Sequence, residues 1–185
     1  MVYKPIIIVA GEPNSIFSEI FFKSLKNKNF KSPIILIASK NLIELQMKKL
    51  NVKKKIRLIS FENLKKNNLN NKKINLLNVS FNQKKAFDKI SNKSNEYIKK
   101  SFNIALKILN QKITNKFING PISKKFFLKK KYLGITEYLA HQTKTKNYAM
   151  LIYNKDLSVC PLTTHLPLKK VSKKINKNII KKKSN

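Results

Sequence analysis

Two runs of consecutive apolar residues, Pro-Ile-Ile-Ile-Val-Ala at 5–10 and Pro-Ile-Ile-Leu-Ile-Ala at 33–38, constrain this chain more than any other feature. Short continuous runs rich in β-branched side chains are the pattern of strands buried on both faces. Such strands need covering layers above and below, and the sequence between them supplies helices. After the first run, Ile16, Ile20, Phe21 and Leu25 recur close to helical spacing. After the second, Asn41 and Glu44 have the form of a capping box opening a helix through Leu50. Residues 56–59 predict a third strand, residues 65–73 a polar surface loop, and residues 76–81 another strand. Tyr97, Ile98, Phe102, Ala105, Ile108 and Leu109 share one face of a helix over 97–109. Phe117 and Ile118 form a strand that runs into the turn Asn119-Gly120-Pro121. Residues 149–153 and 158–162 predict two short strands joined by Asn154-Lys155-Asp156, and helical spacing returns at Leu168, Val171, Ile175 and Ile179. The whole predicts an α/β fold with a mostly parallel sheet and flanking helices, without internal repeats.

Composition bounds the class. With 185 residues, 42% hydrophobic and 9% aromatic, the chain has enough apolar material for a core. The single cysteine, Cys160, excludes an internal disulfide framework and a cysteine zinc finger. No stretch approaches the roughly 18 apolar residues that span a bilayer, and the opening ten residues lack a signal-peptide core. A soluble, cytoplasmic protein with no membrane partner is expected.

The net charge of +33 points toward polyanions and has to be weighed. Only one of the 41 basic residues is an arginine, Arg57; with 40 lysines, 24 asparagines and 24 isoleucines, three residue types fill 88 positions. These types share A/T-rich codons, so compositional drift produces the mixture without selection for a ligand. Reading base edges calls for the planar fork of arginine. The lysines are scattered along the chain and densest in poorly patterned stretches, as on a solvated surface. No specific nucleic-acid partner is expected. A non-enzymatic lysine-rich protein binding nucleic acid or other polyanions is the alternative reading.

In parallel sheets ligands gather where strands end and turns begin, which selects three places. The first, Gly11-Glu12-Pro13-Asn14-Ser15-Ile16, could offer backbone N–H groups to an anion or simply cap a helix through Asn14 or Ser15. It lacks the glycine fingerprint of a dinucleotide turn and the P-loop lysine. The second, Asn119-Gly120-Pro121-Ile122-Ser123-Lys124, places a capping serine before Lys124. A lysine in a first helical turn opposes the dipole unless an anion is also bound, so Lys124 is a candidate phosphate contact. The third, Thr163-Thr164-His165-Leu166-Pro167, holds one of the two histidines. His165 suits a metal ligand, a general base or a histidine hydrogen-bonded at the sheet edge. His141 lies on a helix as an ordinary boundary residue, preceded by Gly134-Ile135-Thr136-Glu137, where Thr136 offers a cap or a ligand hydroxyl.

These segments together resemble the 4-hydroxythreonine-4-phosphate dehydrogenases of vitamin B6 biosynthesis. The family's G-D-P-x-G-I-G-P-E turn is similar to residues 11–19, its P-I-x-K to residues 121–124, its G-H-T-E to residues 134–137, and its T-T-H-[IL]-P-L to residues 163–168 in full. The resemblance implies a fold like that of isocitrate and isopropylmalate dehydrogenases, a homodimer with its active site in a cleft near the subunit interface. It implies NAD-dependent oxidation, with decarboxylation, of 4-phosphohydroxy-L-threonine, a small phosphorylated amino acid. It also implies a divalent metal (Zn, Mg or Co) with His165 as one ligand, and substrate contacts from Thr136 and Lys124. The catalytic residues and NAD contacts are not located within this sequence. Two departures stand out. Ile135 replaces the motif histidine, and Ser15 and Phe17 replace two glycines of the opening turn. The family's chains are also far longer. Residues 1–168 therefore correspond to the N-terminal α/β portion, and residues 169–185 to a lysine-rich tail beginning an incomplete remainder. The expectation is a fragment of the enzyme or a truncated copy that alone has little activity.

Overall fold

The computed structural model describes residues 3–62, 64, 69–164 and 166–184. The chain divides into two compact units, Met1–Phe127 and Leu128–Asn185. In the first unit, strands β1 (Ile6–Val9), β2 (Ile34–Ala38), β3 (Ile56–Leu58), β4 (Ile74–Asn78) and β5 (Lys116–Asn119) form one sheet in the order β3-β4-β2-β1-β5. Every pairing is parallel. Helices α1 (Phe17–Asn27), α2 (Lys40–Lys49) and α3 (Asn95–Asn110) connect the strands. This is the α/β, mostly parallel architecture that the apolar runs predict.

Alternation along the strands sorts the core into two layers. Ile8, Ile34, Leu36, Ala38, Ile74 and Leu76 pack with Phe21 and Phe22 of α1 and Ile43 and Met47 of α2. The intervening positions Ile7, Val9, Ile35 and Ile37 are also buried. They face the side covered by α3, whose Phe102 meets Phe117 of β5 edge-on. Burying each such side chain contributes about 1.5–3 kcal/mol, so the two apolar runs anchor the unit.

Element ends differ from expectation where a neighbour competes. Helix α2 is capped by Ser39, whose Oγ accepts from the Leu42 N–H at 3.5 Å, rather than by Asn41. Glu44 is paired along the helix with Lys40 at 3.6 Å instead of closing a capping box. The fourth strand begins two residues earlier than predicted, because Ile74 registers with Ile56. Part of the predicted 65–73 loop lies outside the described residues. Its end is tied down by Asn71, whose amide donates to the Phe30 and Ser32 carbonyls while its Oδ1 accepts from the Ile34 N–H.

The second unit carries helices α4 (Ile135–Gln142), α5 (Leu168–Val171) and α6 (Lys177–Ser184). The two strands expected near 149–162 reduce to a single antiparallel bridge, Ile152 with Val159. Two reciprocal backbone bonds of 2.8 and 2.9 Å hold it, and its flanking residues stay exposed. An isolated two-residue ladder lacks the cross-strand packing that sustains a strand.

Candidate functional site

Strand order decides which predicted turns meet. The chain leaves β1 toward β2 on one side and returns across the sheet to place β5 on the other. Val9 therefore pairs with Asn119, and the turns 10–15 and 119–124 leave the same carboxyl edge side by side. Such a reversal point is where open α/β sheets accommodate ligands.

The two turns interlock. The Gly120 N–H donates to the Val9 carbonyl at 2.7 Å, and the Glu12 N–H donates to the Pro121 carbonyl at 2.7 Å. Gly11 adopts φ +74°, a left-handed conformation natural to glycine. A Cβ at Gly11 would lie 2.3 Å from the Pro121 carbonyl oxygen, and one at Gly120 would lie 2.1 Å from that of Ala10. Both positions need glycine for closeness, and Gly11 needs it for conformation as well.

Glu12 is the residue that the sequence did not single out. Its side chain is 2% exposed in a chain with only eight acidic residues. One carboxylate oxygen accepts from the Ser94 hydroxyl at 2.8 Å, the other from the Asn14 N–H at 3.3 Å. It thus pins the β1 turn to the start of α3. Beside it, Asn14 and Gln83 exchange side-chain hydrogen bonds of 3.1 and 2.9 Å, and Asn14 Oδ1 also accepts from the Asp88 N–H. Gln46 donates to the Pro13 and Ala86 carbonyls. A 69-residue separation between Asn14 and Gln83 leaves no local sequence signal for this clamp.

The anion-cradle reading of the first turn finds most of its donors already engaged. The N–H groups of Glu12, Asn14, Ser15 and Phe17 all have protein acceptors. Ser15 plays the capping part, its Oγ accepting from Phe17 and donating to the Glu12 carbonyl. In the second turn Ser123 Oγ accepts from the Phe126 N–H at 3.1 Å, a capping contact. Lys124 is exposed at the head of a single π-type turn, Lys124–Leu128.

Thr136 lies in the first turn of α4 in the second unit, half-buried. Its neighbour Glu137 has one buried carboxylate oxygen, Oε2, without a hydrogen-bond partner. Tyr138 packs edge-on against Tyr132, whose hydroxyl lies 3.1 Å from His141 Nδ1. Burial first, and the neighbouring Tyr132 second, push the Tyr138 hydroxyl above its ordinary pKa. His141 is exposed. His165 lies outside the described residues. Among the described residues no three His, Cys, Asp or Glu side chains cluster to hold a metal. Glu12 is committed to Ser94 and Asn14, so these residues alone do not form a metal centre. No helix among the described residues is long and apolar enough to cross a membrane.

Relatives agree with the motif reading. The chain is 33% identical over 178 residues to the 4-hydroxythreonine-4-phosphate dehydrogenase of Sulfurihydrogenibium sp. (strain YO3AOP1), covering 94% of this chain and 53% of that protein. It is 48% identical over 66 residues to the enzyme of the same name from Aquifex aeolicus, covering 34% of this chain and 20% of that one. The fold matches the crystal structure of a 4-hydroxythreonine-4-phosphate dehydrogenase from Burkholderia phymatum with a TM-score of 0.84 at 20% identity, over 98% of this chain and 56% of that one. The chain thus spans about half the length of the relatives it matches along its whole extent. Residues 29–185 match the family model described as pyridoxal phosphate biosynthetic protein PdxA, and the chain belongs to that family.

Proposed function

We propose that this chain carries the first part of the active site of an NAD-dependent 4-hydroxythreonine-4-phosphate dehydrogenase. In this reading the protein oxidises and decarboxylates 4-phosphohydroxy-L-threonine in pyridoxal phosphate biosynthesis. The observation that supports it best is the interlock of the 10–15 and 119–124 turns at the reversal point of the sheet, since residues 11–19 and 121–124 resemble two motifs of the family. Their mutual bonds hold the backbone leading to Lys124 in one conformation, and a fixed scaffold is what a small charged substrate needs.

Lys124 meets the substrate's phosphate as a point charge. Thr136 offers its hydroxyl to the substrate, and Ile135 makes that contact surface more apolar than the family's histidine would. His165 is one metal ligand. A bound divalent metal would polarise the substrate oxygen while hydride passes to NAD. A catalytic metal needs about three protein ligands, so sequence corresponding to the rest of the relatives' length completes the centre. A cytoplasmic homodimer belongs to the same reading.

Calorimetric titration with 4-phosphohydroxy-L-threonine is the direct test. Lys124→Ala and Thr136→Val should each weaken binding about three- to tenfold. With NAD and Zn, Mg or Co added, this chain alone should give little NADH absorbance, and a version extended to family length should give turnover that His165→Ala removes. An extended version that neither binds the substrate nor produces NADH overturns the reading. The charge of +33 keeps polyanion binding as the rival. That reading requires nucleic-acid binding without sequence preference that collapses steeply as salt rises.

A further inference from the structure

We propose that a groove between α1 and the turn from α2 to β3 binds a single-chain aliphatic carboxylate. Helices α1 and α2 run back from the carboxyl ends of β1 and β2, so their C-terminal halves lie at the amino edge of the sheet. The groove is therefore at the opposite edge from the interlocked turns and independent of the dehydrogenase reading.

Its floor is apolar and fixed. Phe22 is buried within the core, and Leu25, Leu50 and Val52 pack against that core while lining the groove. Leu50 and Val52 are set by the helix stop. Asn51 takes φ 52°, and the Val52 N–H donates back to the Met47 carbonyl at 2.9 Å. This is the left-handed helix ending in which the residue after the turn folds back onto the helix. A floor held by backbone bonds needs little ordering when a ligand arrives.

Its rim is cationic. Lys23 and Lys26 stand on the α1 side, Lys53 and Lys54 on the other. The lone acidic lining residue, Glu19, is paired with Lys23 at 2.8 Å. Among the described ion pairs, Lys26, Lys53 and Lys54 have no carboxylate partner. The groove, open on one side to solvent, has a volume of about 530 Å³, inside the roughly 300–1,000 Å³ range of small-molecule sites. An apolar floor under three uncompensated ammonium groups matches a ligand with an alkyl tail and one negative head. A free inorganic anion would waste the floor, and a cationic amphiphile would meet repulsion at the rim.

Isothermal titration of the intact chain with dodecanoate, below its micelle concentration, tests this. Saturable one-to-one binding is expected, with neither acetate nor dodecyltrimethylammonium binding at the same concentrations. Lys26→Glu combined with Lys53→Glu should weaken dodecanoate about tenfold. Both side chains are exposed, so this variant keeps the fold, which far-UV circular dichroism checks. Leu151→Asp, on the exposed 150–159 segment, should leave the affinity unchanged. The proposal is overturned if dodecyltrimethylammonium binds equally, if the double variant binds as well as the original, or if Leu151→Asp removes binding. It is also overturned if dodecanoate fails to bind while an acidic amphipathic peptide does, which would assign the groove to a protein partner.

Discussion

Replacing Gly120 with alanine tests the interlock on which the site is built. The new methyl carbon would sit 2.1 Å from the Ala10 carbonyl oxygen and 2.8 Å from a ring carbon of Phe17. Ordinary contact needs about 3.5 Å, so the turns must part by about 1.4 Å. The obstacle is backbone, which cannot swing aside like the end of a side chain. Parting the turns stretches both 2.7 Å bonds, Gly120 N–H to Val9 and Glu12 N–H to Pro121, past useful length. Overpacking costs about 1–3 kcal/mol and each lost bond about 1 kcal/mol. The expected penalty is about 3–5 kcal/mol, a large share of the roughly 5–15 kcal/mol by which domains are stable. At about 2–4 °C per kcal/mol for a chain of this size, the thermal midpoint should fall by roughly 10 °C. The chain has no tryptophan, so far-UV circular dichroism is the suitable probe. Gly134→Ala serves as control. Gly134 sits at the N-cap of α4 in extended backbone, φ −161°, where alanine costs about 1 kcal/mol or less. If Gly120→Ala melts within about 2 °C of the original chain, the turns are not locked and the argument for a preformed site fails.

Two further outcomes follow from buried polar groups. Ser94→Ala should lower the urea midpoint by the equivalent of about 1.5–3 kcal/mol, because a buried Glu12 oxygen loses its 2.8 Å donor; an unchanged midpoint would mean that water replaces the hydroxyl. Tyr97 is buried, and desolvation chiefly holds its hydroxyl well above the ordinary 10.0, against the opposing hydrogen bond to the Ser39 backbone and with a further push from Glu12. A folded-state pKa raised this way gives stability that is complete below pH 10 and is lost as pH climbs toward the folded value. The readout is the difference between the chain and Tyr97→Phe, in which effects common to both cancel. That difference should shrink above pH 10, and a constant difference would refute the linkage.

Much of this protein was legible because its signals are local. The apolar runs at 5–10 and 33–38 mark central strands, since few other structures bury four or five consecutive side chains, as Ile7–Ala10 and Ile34–Ala38 are here. The spacing from Tyr97 to Leu109 marks α3, and the G-x-T-E and T-T-H-L-P-L motifs mark the family that the relatives share. The sequence pattern puts the cap of α2 two residues late, at Asn41, because serine and asparagine both suit that position, and Ser39 wins only through where β2 delivers the chain. Near 149–162 the predicted strands give way to a single bridge, since β-propensity without a neighbouring strand sustains no ladder.

What the amino-acid sequence determined by itself was the alternation of strand and helix, the parallel class of the sheet and the residue types at each turn. What only the tertiary structure decided was strand order, and with it the meeting of Gly11 with Pro121 and of Gly120 with Ala10. The same order brought Glu12 to Ser94 and Asn14 to Gln83, pairs 82 and 69 residues apart. Hydrophobic periodicity is a property of neighbours along the chain, so it reports which face of an element is buried. It carries no information about which element comes to lie beside it, because that choice is made by the packing of the whole sheet.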